Sequence, residues 1–264
     1  MKSLSTAILT AALLVASSAS AATIYVADSS CTGEPTPCTT DLQDALDDTR
    51  FDVVHLLTGS IIYGDYQITR ALTFEAGASA GLRPSGTELS VLHVEDTSNV
   101  TIDGLIFQGR VNVDNSSTVL LRDCSVDTSH VSVHVVDSTV TLLDTTVDAT
   151  DRAIEALDST VTIDGCDLDA TDYAVVANGS SITVDGGTAH GDDNAFVLQD
   201  GSGATGTSLT ATDAALTANG SNDTTWMWYR ATTSYTNCTP TPSNDVDSPA
   251  SLVTWTGFVP WGGE

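Results

Sequence analysis

The sequence predicts an all-β fold: a parallel β-helix in a single solenoid domain. Three observations carry that prediction. A fifteen-residue motif, DSTVTLLDTTVDATD at Asp137–Asp151, returns 21 residues later as DSTVTIDGCDLDATD at Asp158–Asp172. Within each copy apolar and polar residues alternate with period two, as strands require. Asp, Asn, Gly and Ser fill the joints between the apolar runs, where the chain must turn. One such unit cannot bury its own apolar face, so like units stack. A helical repeat is excluded because Thr, Val and Asp are poor helix formers and good strand or turn formers.

The elements follow in order. Lys2, the apolar run Ala7–Ala16 and the small residues Ala19-Ser20-Ala21 predict a secretory signal peptide over residues 1–21. That run is short for a bilayer, and no other approaches membrane length. The mature chain is therefore expected to be secreted or at the cell surface, with no transmembrane segment. Residues 22–88 are expected to hold an N-terminal cap and the first coils. There ATIYVADSS is a strand, and Asp41–Asp48 is a short helix whose Leu42, Ala45 and Leu46 cover the open end of the core. Residues 89–218 are the regular coils. Their anchors are Val100, Val119, Val140, Val161 and Ile182, spaced 19, 21, 21 and 21 residues apart, with Leu209 following 27 residues on, past DGSGATG. A second inward pair follows each anchor (Leu105 and Phe107, Cys124 and Val126, Thr145 and Val147, Cys166 and Leu168). A third pair precedes it (Val133 and Val135, Ile154 and Ala156, Val175 and Ala177, Phe196 and Leu198). Three short strands per unit make one coil.

Residues 219–264 show no coil period and hold all four tryptophans, Trp226, Trp228, Trp255 and Trp261. They are expected to form an irregular C-terminal cap over the last coil's edge, or an aromatic platform for a sugar or protein partner.

From Thr23 to Ala218 this pattern resembles the right-handed parallel β-helix proteins of the pectate-lyase-like superfamily. The opening strand, helix and first coils are similar to that superfamily's usual beginning. The resemblance implies a fold, not an activity, because similar coils carry lyases, hydrolases, adhesins and phage spikes.

Charge narrows the partners. The chain carries −27 at neutral pH, and removing residues 1–21 removes its only lysine, giving −27 − 1 = −28. Such a surface repels nucleic acid, anionic membranes and polyuronates not bridged by cations. Of five cysteines, Cys31 and Cys38 bracket the turn-forming TGEPTP and are expected to form a disulfide, as befits an exported protein. Cys124 and Cys166 share an inward column two coils apart. At about twice the ~4.8 Å strand spacing they lie beyond disulfide reach. Thr145 stacks between them, where its hydroxyl needs a partner. Cys238 is left over.

No catalytic set assembles. Uronate lyases of this fold use an Arg or Lys base and a cation; the mature chain has no lysine, and Arg83, Arg110, Arg122 and Arg152 share no coil position. Arg122 is expected to pair with Asp103 or Asp144. His190-Gly191-Asp192-Asp193-Asn194-Ala195 resembles the Asp-Asp segment of polygalacturonases, but it is placed at a bend and the family's Arg-x-Lys segment is missing. His130 and His134 lack a third ligand for zinc, and His134 aligns with Glu155.

Two aspartate columns and a threonine ladder are the candidate sites. Asp127, Asp148 and Asp169 recur at one coil position, followed by His190. Asp151, Asp172 and Asp193 recur at another, preceded by His130. Carboxylates stacked at strand spacing repel by roughly 1 kcal/mol per pair in water, unless divalent cations bind between them. Calcium suits all-oxygen ligands, although the β-roll nonapeptide is absent. No other cofactor is implied. The pairs Thr139/Thr141, Thr160/Thr162 and Ser181/Thr183, with Asn99/Thr101 below and Ser208/Thr210 above, form an outward ladder that Thr118/Leu120 breaks. It resembles the T-x-T faces of ice-binding β-helices, yet stacked threonines also stabilise a sheet unaided. Asp103, Arg122, Asp164 and Asp185 interrupt it.

The expected protein is thus a non-catalytic scaffold with a structural or adhesive role, binding a neutral glycan, a protein or divalent cations. A polysaccharide lyase or glycoside hydrolase is the alternative, and an ice-binding protein a lesser one.

Overall fold

A computed structural model describes residues 21–86, 89–199, 206–219, 224–227, 231–239, 244–246 and 252–256. The predicted signal peptide, Trp228 and Trp261 lie outside them. The chain winds as a right-handed parallel β-solenoid of about 8 turns. Among the described residues the strands form three parallel sheets of 12, 8 and 9 strands, and each full coil gives one strand to each. A single apolar core fills the space between them.

The anchors stack as the period requires. Val119 pairs with Val100 and Val140, Val140 with Val161, Val161 with Ile182 and Ile182 with Leu209, all in the first sheet. Phe107, Val126, Val147 and Leu168 form the second sheet's inward column. Val133, Ile154, Val175 and Phe196 form that of the third. All of these side chains are buried. Alternation therefore sends Thr141, Asp148 and Glu155 outward from the three sheets in turn.

Two tight corners make the coil possible. Between the first and second sheets Ser79, Asp123, Asp144 and Asp213 hold positive φ, as do Gly104, Gly165 and Gly186 at the same place in other coils. Asp tolerates the left-handed region better than most residues and Gly adopts it freely. Between the third and first sheets Asn115, Asp137, Asp158 and Gly179 do the same, and each is followed by a buried serine: Ser116, Ser138, Ser159 and Ser180. Ser138 Oγ accepts from the Ser116 N–H (3.0 Å), Ser159 Oγ from the Ser138 N–H (3.1 Å) and Ser180 Oγ from the Ser159 N–H (3.0 Å). This serine ladder explains why the repeat begins Asp-Ser.

Cys31 and Cys38 are disulfide-bonded, and Cys124, Cys166 and Cys238 are free. Thr145 Oγ1 donates to the Leu143 carbonyl at 3.0 Å. The helix spans Leu42–Asp47, with Leu42, Ala45 and Leu46 buried and the Asp41 side chain accepting from the Asp44 N–H. Asn99 and Thr118 carry positive φ. Thr118 is bulged out, and Ser117, not Thr118, pairs with Thr139. Strands also continue into the segment read from sequence as cap or tail: Thr225–Met227 joins the third sheet and Thr232–Thr236 the first.

Candidate functional site

A cluster of interacting polar side chains lies on the outward side of the third sheet. Strands Val133–Val136, Arg152–Leu157, Tyr173–Asn178 and Asn194–Gln199 are neighbours there. Because Ile154 and Ala156 point inward, Glu155 points out, opposite His134 on the preceding strand. The His134 Nε2 to Glu155 Oε2 distance is 3.6 Å. Arg152 Nη1 donates to the other oxygen, Oε1, and its Nε lies 3.3 Å from Asp151 Oδ1. One guanidinium thus spans two carboxylates. Tyr173 stands beside Arg152 in register. Burial, followed by the nearby Asp193 and Asp172 carboxylates, pushes its phenol above the ordinary range.

The row extends downward. Asn112 lies between His93 and His134 in register. Asn112 Nδ2 donates to Ser90 Oγ at 2.7 Å, Ser90 Oγ lies 3.0 Å from His93 Nε2, and the same nitrogen is 3.2 Å from Asp65 Oδ2. Ser90 and Asp65 thus meet one ring nitrogen, so this trio is not wired as a proton relay, which uses both nitrogens. Upward, the row continues through Val176, Val197 and Trp226. The two valines are buried and Trp226 is half-buried. From His93 to Trp226 are six strand steps, about 29 Å at the usual ~4.8 Å spacing.

The predicted site residues fall on three different surfaces. Asp151, Asp172 and Asp193 stack at the bend leading into the third sheet, the Asp172 N–H donating to the Asp151 carbonyl (3.2 Å) and the Asp193 N–H to the Asp172 carbonyl (3.0 Å). They adjoin Tyr173 and belong to the polar row. Asp127, Asp148 and Asp169 are in register on the second sheet, exposed, with His190 and Thr217 continuing the column. Thr101, Thr141, Thr162 and Thr183 are in register on the first sheet, as are Thr139, Thr160 and Ser181. Among the described residues no three His, Cys, Asp or Glu side chains converge as around a metal ion. Arg122 pairs with Asp103. His190 and Gly191 lie within the strand Thr188–Gly191 and Asn194 opens the next, so only Asp192 and Asp193 of that segment form the bend. Arg110 and Arg152 each open a strand of the third sheet, but not in register: Val111 aligns with Ile154 through Val133, which puts Arg110 one residue and Arg152 two residues ahead of that column. The signal missed was positional: Arg152, Tyr173 and Asn194 occupy the same first place in successive strands.

Fold and face together define a class of structure: a right-handed parallel β-helix with an outward row along one sheet that carries polar residues over its lower strands. No family model matches the chain, and no curated protein does. Among solved structures it is similar to a pectin methylesterase in complex with a hexasaccharide (10% identity, TM-score 0.59, covering 88% of this chain and 94% of that one). It is similar to Escherichia coli YbhC (9%, 0.53, 97% and 87%). It is also similar to tailspike protein 2 from Escherichia coli O157:H7 bacteriophage CAB120 (11%, 0.55, 81% and 40%), of whose length it spans 40%. At such identities the likeness is one of fold. Among the described residues no helix is long and apolar enough to cross a membrane.

Proposed function

We propose that this is an exported glycan-binding scaffold, non-catalytic, with a neutral saccharide lying along the outward row of the third sheet. One observation carries the reading: His134, Glu155, Arg152, Asp151 and Tyr173, from three neighbouring strands, form a single polar cluster with an aromatic ring at its edge. Such a mixture of donors, acceptors and a flat apolar surface suits the hydroxyls and faces of sugar rings. The strand spacing sets His93, Asn112, His134 and Glu155 in register on successive strands, as a polymer's residues follow one another. The net charge of −27 favours an uncharged chain over a polyuronate. A hexasaccharide bound to the structurally similar pectin methylesterase is in keeping with this. The Cys31–Cys38 disulfide supports export.

The test is a glycan array on the purified protein, followed by titration of a neutral hit into wild type, Tyr173→Ala and Glu155→Gln. Each substitution is expected to weaken binding about tenfold, equal to ~1.4 kcal/mol. Unchanged affinity in both would remove the reading. A second reading, a carbohydrate-active enzyme, is favoured by the presence of two carboxylates, Asp151 and Glu155, in the cluster. Against it, both carboxylates are already engaged by Arg152 in ion pairs. Release of shortened products from a polysaccharide panel, lost in Glu155→Gln, would establish it instead.

A further inference from the structure

We infer a reactive centre on the second sheet. There Thr217 is an activated nucleophile that accepts an acyl group from an uncharged carboxylic ester, with His190 as its base and Asp192 holding the histidine. The inference goes beyond the glycan-binding reading: the row on the third sheet stays without chemistry, and the centre stands on other residues of another sheet.

Local structure brings the three side chains together. His190 and Thr217 lie 27 residues apart in sequence but in register on the neighbouring strands Thr188–Gly191 and Ala215–Ala218. Ala189 and Leu216 are buried, so alternation turns His190 and Thr217 outward. Asp192 follows His190 by two residues, at the bend. Its N–H donates to the Ala170 carbonyl at 3.1 Å, and its own carbonyl accepts from the Asn219 N–H at 3.2 Å, which ties the bend to both neighbouring coils. Asn219 Nδ2 also donates to Asp192 Oδ1, the oxygen that faces the histidine.

The hydrogen bonds have a direction. His190 Nε2 lies 3.2 Å from Asp192 Oδ1, and Nδ1 lies 2.8 Å from Thr217 Oγ1. An ionised carboxylate can only accept, so in the neutral ring Nε2 carries the proton and Nδ1 offers its lone pair to the threonine hydroxyl. A hydroxyl, a base and a carboxylate that orients the base, each within hydrogen-bond reach of the next, are what activates an alcohol oxygen. His93 is wired otherwise, with Ser90 and Asp65 on one ring nitrogen.

In the reaction Thr217 Oγ1 attacks the ester carbonyl carbon and gives its proton to His190 Nδ1. The Oγ1–carbon bond forms, the bond from that carbon to the leaving alkoxide breaks, and the alkoxide takes the proton from His190. Asp192 balances the imidazolium charge in between. The site is open to solvent: Thr217 is half-buried, and the His190 and Asp192 side chains are 29% and 47% exposed. Below His190 the exposed carboxylates of Asp169, Asp148 and Asp127 continue the column. They repel an anionic acyl donor, which is why the ester is uncharged.

The test treats the whole protein with an alkyl fluorophosphonate, an uncharged reagent that traps an activated hydroxyl as a stable adduct. The Thr217 Oγ1–phosphorus bond forms, the phosphorus–fluorine bond breaks, and fluoride and the hydroxyl proton leave. Peptide mass mapping is expected to place the adduct on Thr217. Release of p-nitrophenol from p-nitrophenyl acetate is expected to fall to the background rate in the labelled protein. Thr217→Val is expected to abolish labelling and Thr217→Ser to keep it. His190→Gln and Asp192→Asn are each expected to slow labelling about a hundredfold or more, with Asp192→Glu recovering part of the rate and His190→Gln melting like wild type. Should Thr217→Val fail to fold, His190→Gln carries the test. An unlabelled Thr217, or labelling as fast in His190→Gln as in wild type, overturns the inference.

Discussion

Replacing Ser138 with alanine tests how the coils are tied together. Ser138 Oγ accepts from the Ser116 N–H at 3.0 Å and donates to the Val136 carbonyl at 2.7 Å. Ser138 is 6% exposed and Ser116 2%, so no solvent replaces the lost acceptor. The substitution leaves the Ser116 N–H buried and unbonded, which costs about 1–3 kcal/mol. The natural control is the adjacent Thr139→Ala: that side chain is exposed, and its loss costs a few tenths to ~1 kcal/mol of cross-strand contact. Urea unfolding followed by circular dichroism measures both. The midpoint for Ser138→Ala is expected to fall with the m-value unchanged, and its melting temperature to drop by about 2–4 °C per kcal/mol. A Ser138→Ala variant no less stable than Thr139→Ala would refute the ladder as a source of stability.

Further outcomes follow from the same geometry. Gly187→Ala is expected to be strongly destabilising, because at φ 72° its Cβ would meet the Cys166 carbonyl oxygen at 2.0 Å; a soluble variant melting like wild type would contradict the corner geometry. Asp148→Asn is expected to stabilise by about 1 kcal/mol or less at low salt, since it relieves repulsion from Asp127 and Asp169, with the gain shrinking as salt rises; calcium or magnesium should raise the wild-type melting temperature more than that of the variant. Burial pushes the Cys124 thiol and the Tyr235 phenol up to about 12 each. The folded chain therefore keeps protons that the unfolded chain releases above its ordinary thiol and phenol range. Stability is full below about pH 9 and falls toward pH 12, by up to ~1.4 kcal/mol per pH unit for each group, and Cys124→Ala should flatten the decline. The protein is expected to show no thermal hysteresis, since Asp164 and Asp185 stand beside the threonine ladder; hysteresis lost in Thr162→Tyr would show the opposite.

Much of this molecule is legible in its sequence because a solenoid repeats one local rule. Val140, Val161 and Ile182 stack because each coil has nearly the same length, and the 21-residue spacing says so without any coordinates. The corners were also legible, since Asp, Asn and Gly tolerate positive φ. Two kinds of feature were not. Thr118 looks like a ladder rung by alignment, yet the chain bulges there and Ser117 takes its place; the compensation for a 19-residue spacing cannot be read from side-chain types. The polar row was split between two readings, with His134 and Glu155 seen as a surface pair and Asp151, Asp172 and Asp193 as a separate column. They form one surface because the bend before the third sheet folds Asp151 and Arg152 toward Glu155, a fact of backbone direction. The strands beyond Ala218 are not legible because their spacing departs from 21 residues, Leu209 pairing with Thr233 24 residues on, while Thr233 and Tyr235 supply the inward residues that aliphatics supply elsewhere.

The central claim is that a sugar polymer lies on the third sheet. Amide chemical-shift mapping with a neutral oligosaccharide taken from the glycan array addresses it most directly. The account predicts that the perturbed amides run along Asn112, His134, Glu155 and Tyr173, one strand after another. Perturbations gathered instead around Thr141, Thr162 and Thr183 on the first sheet, or around Asp127, Asp148 and Asp169 on the second, would contradict it.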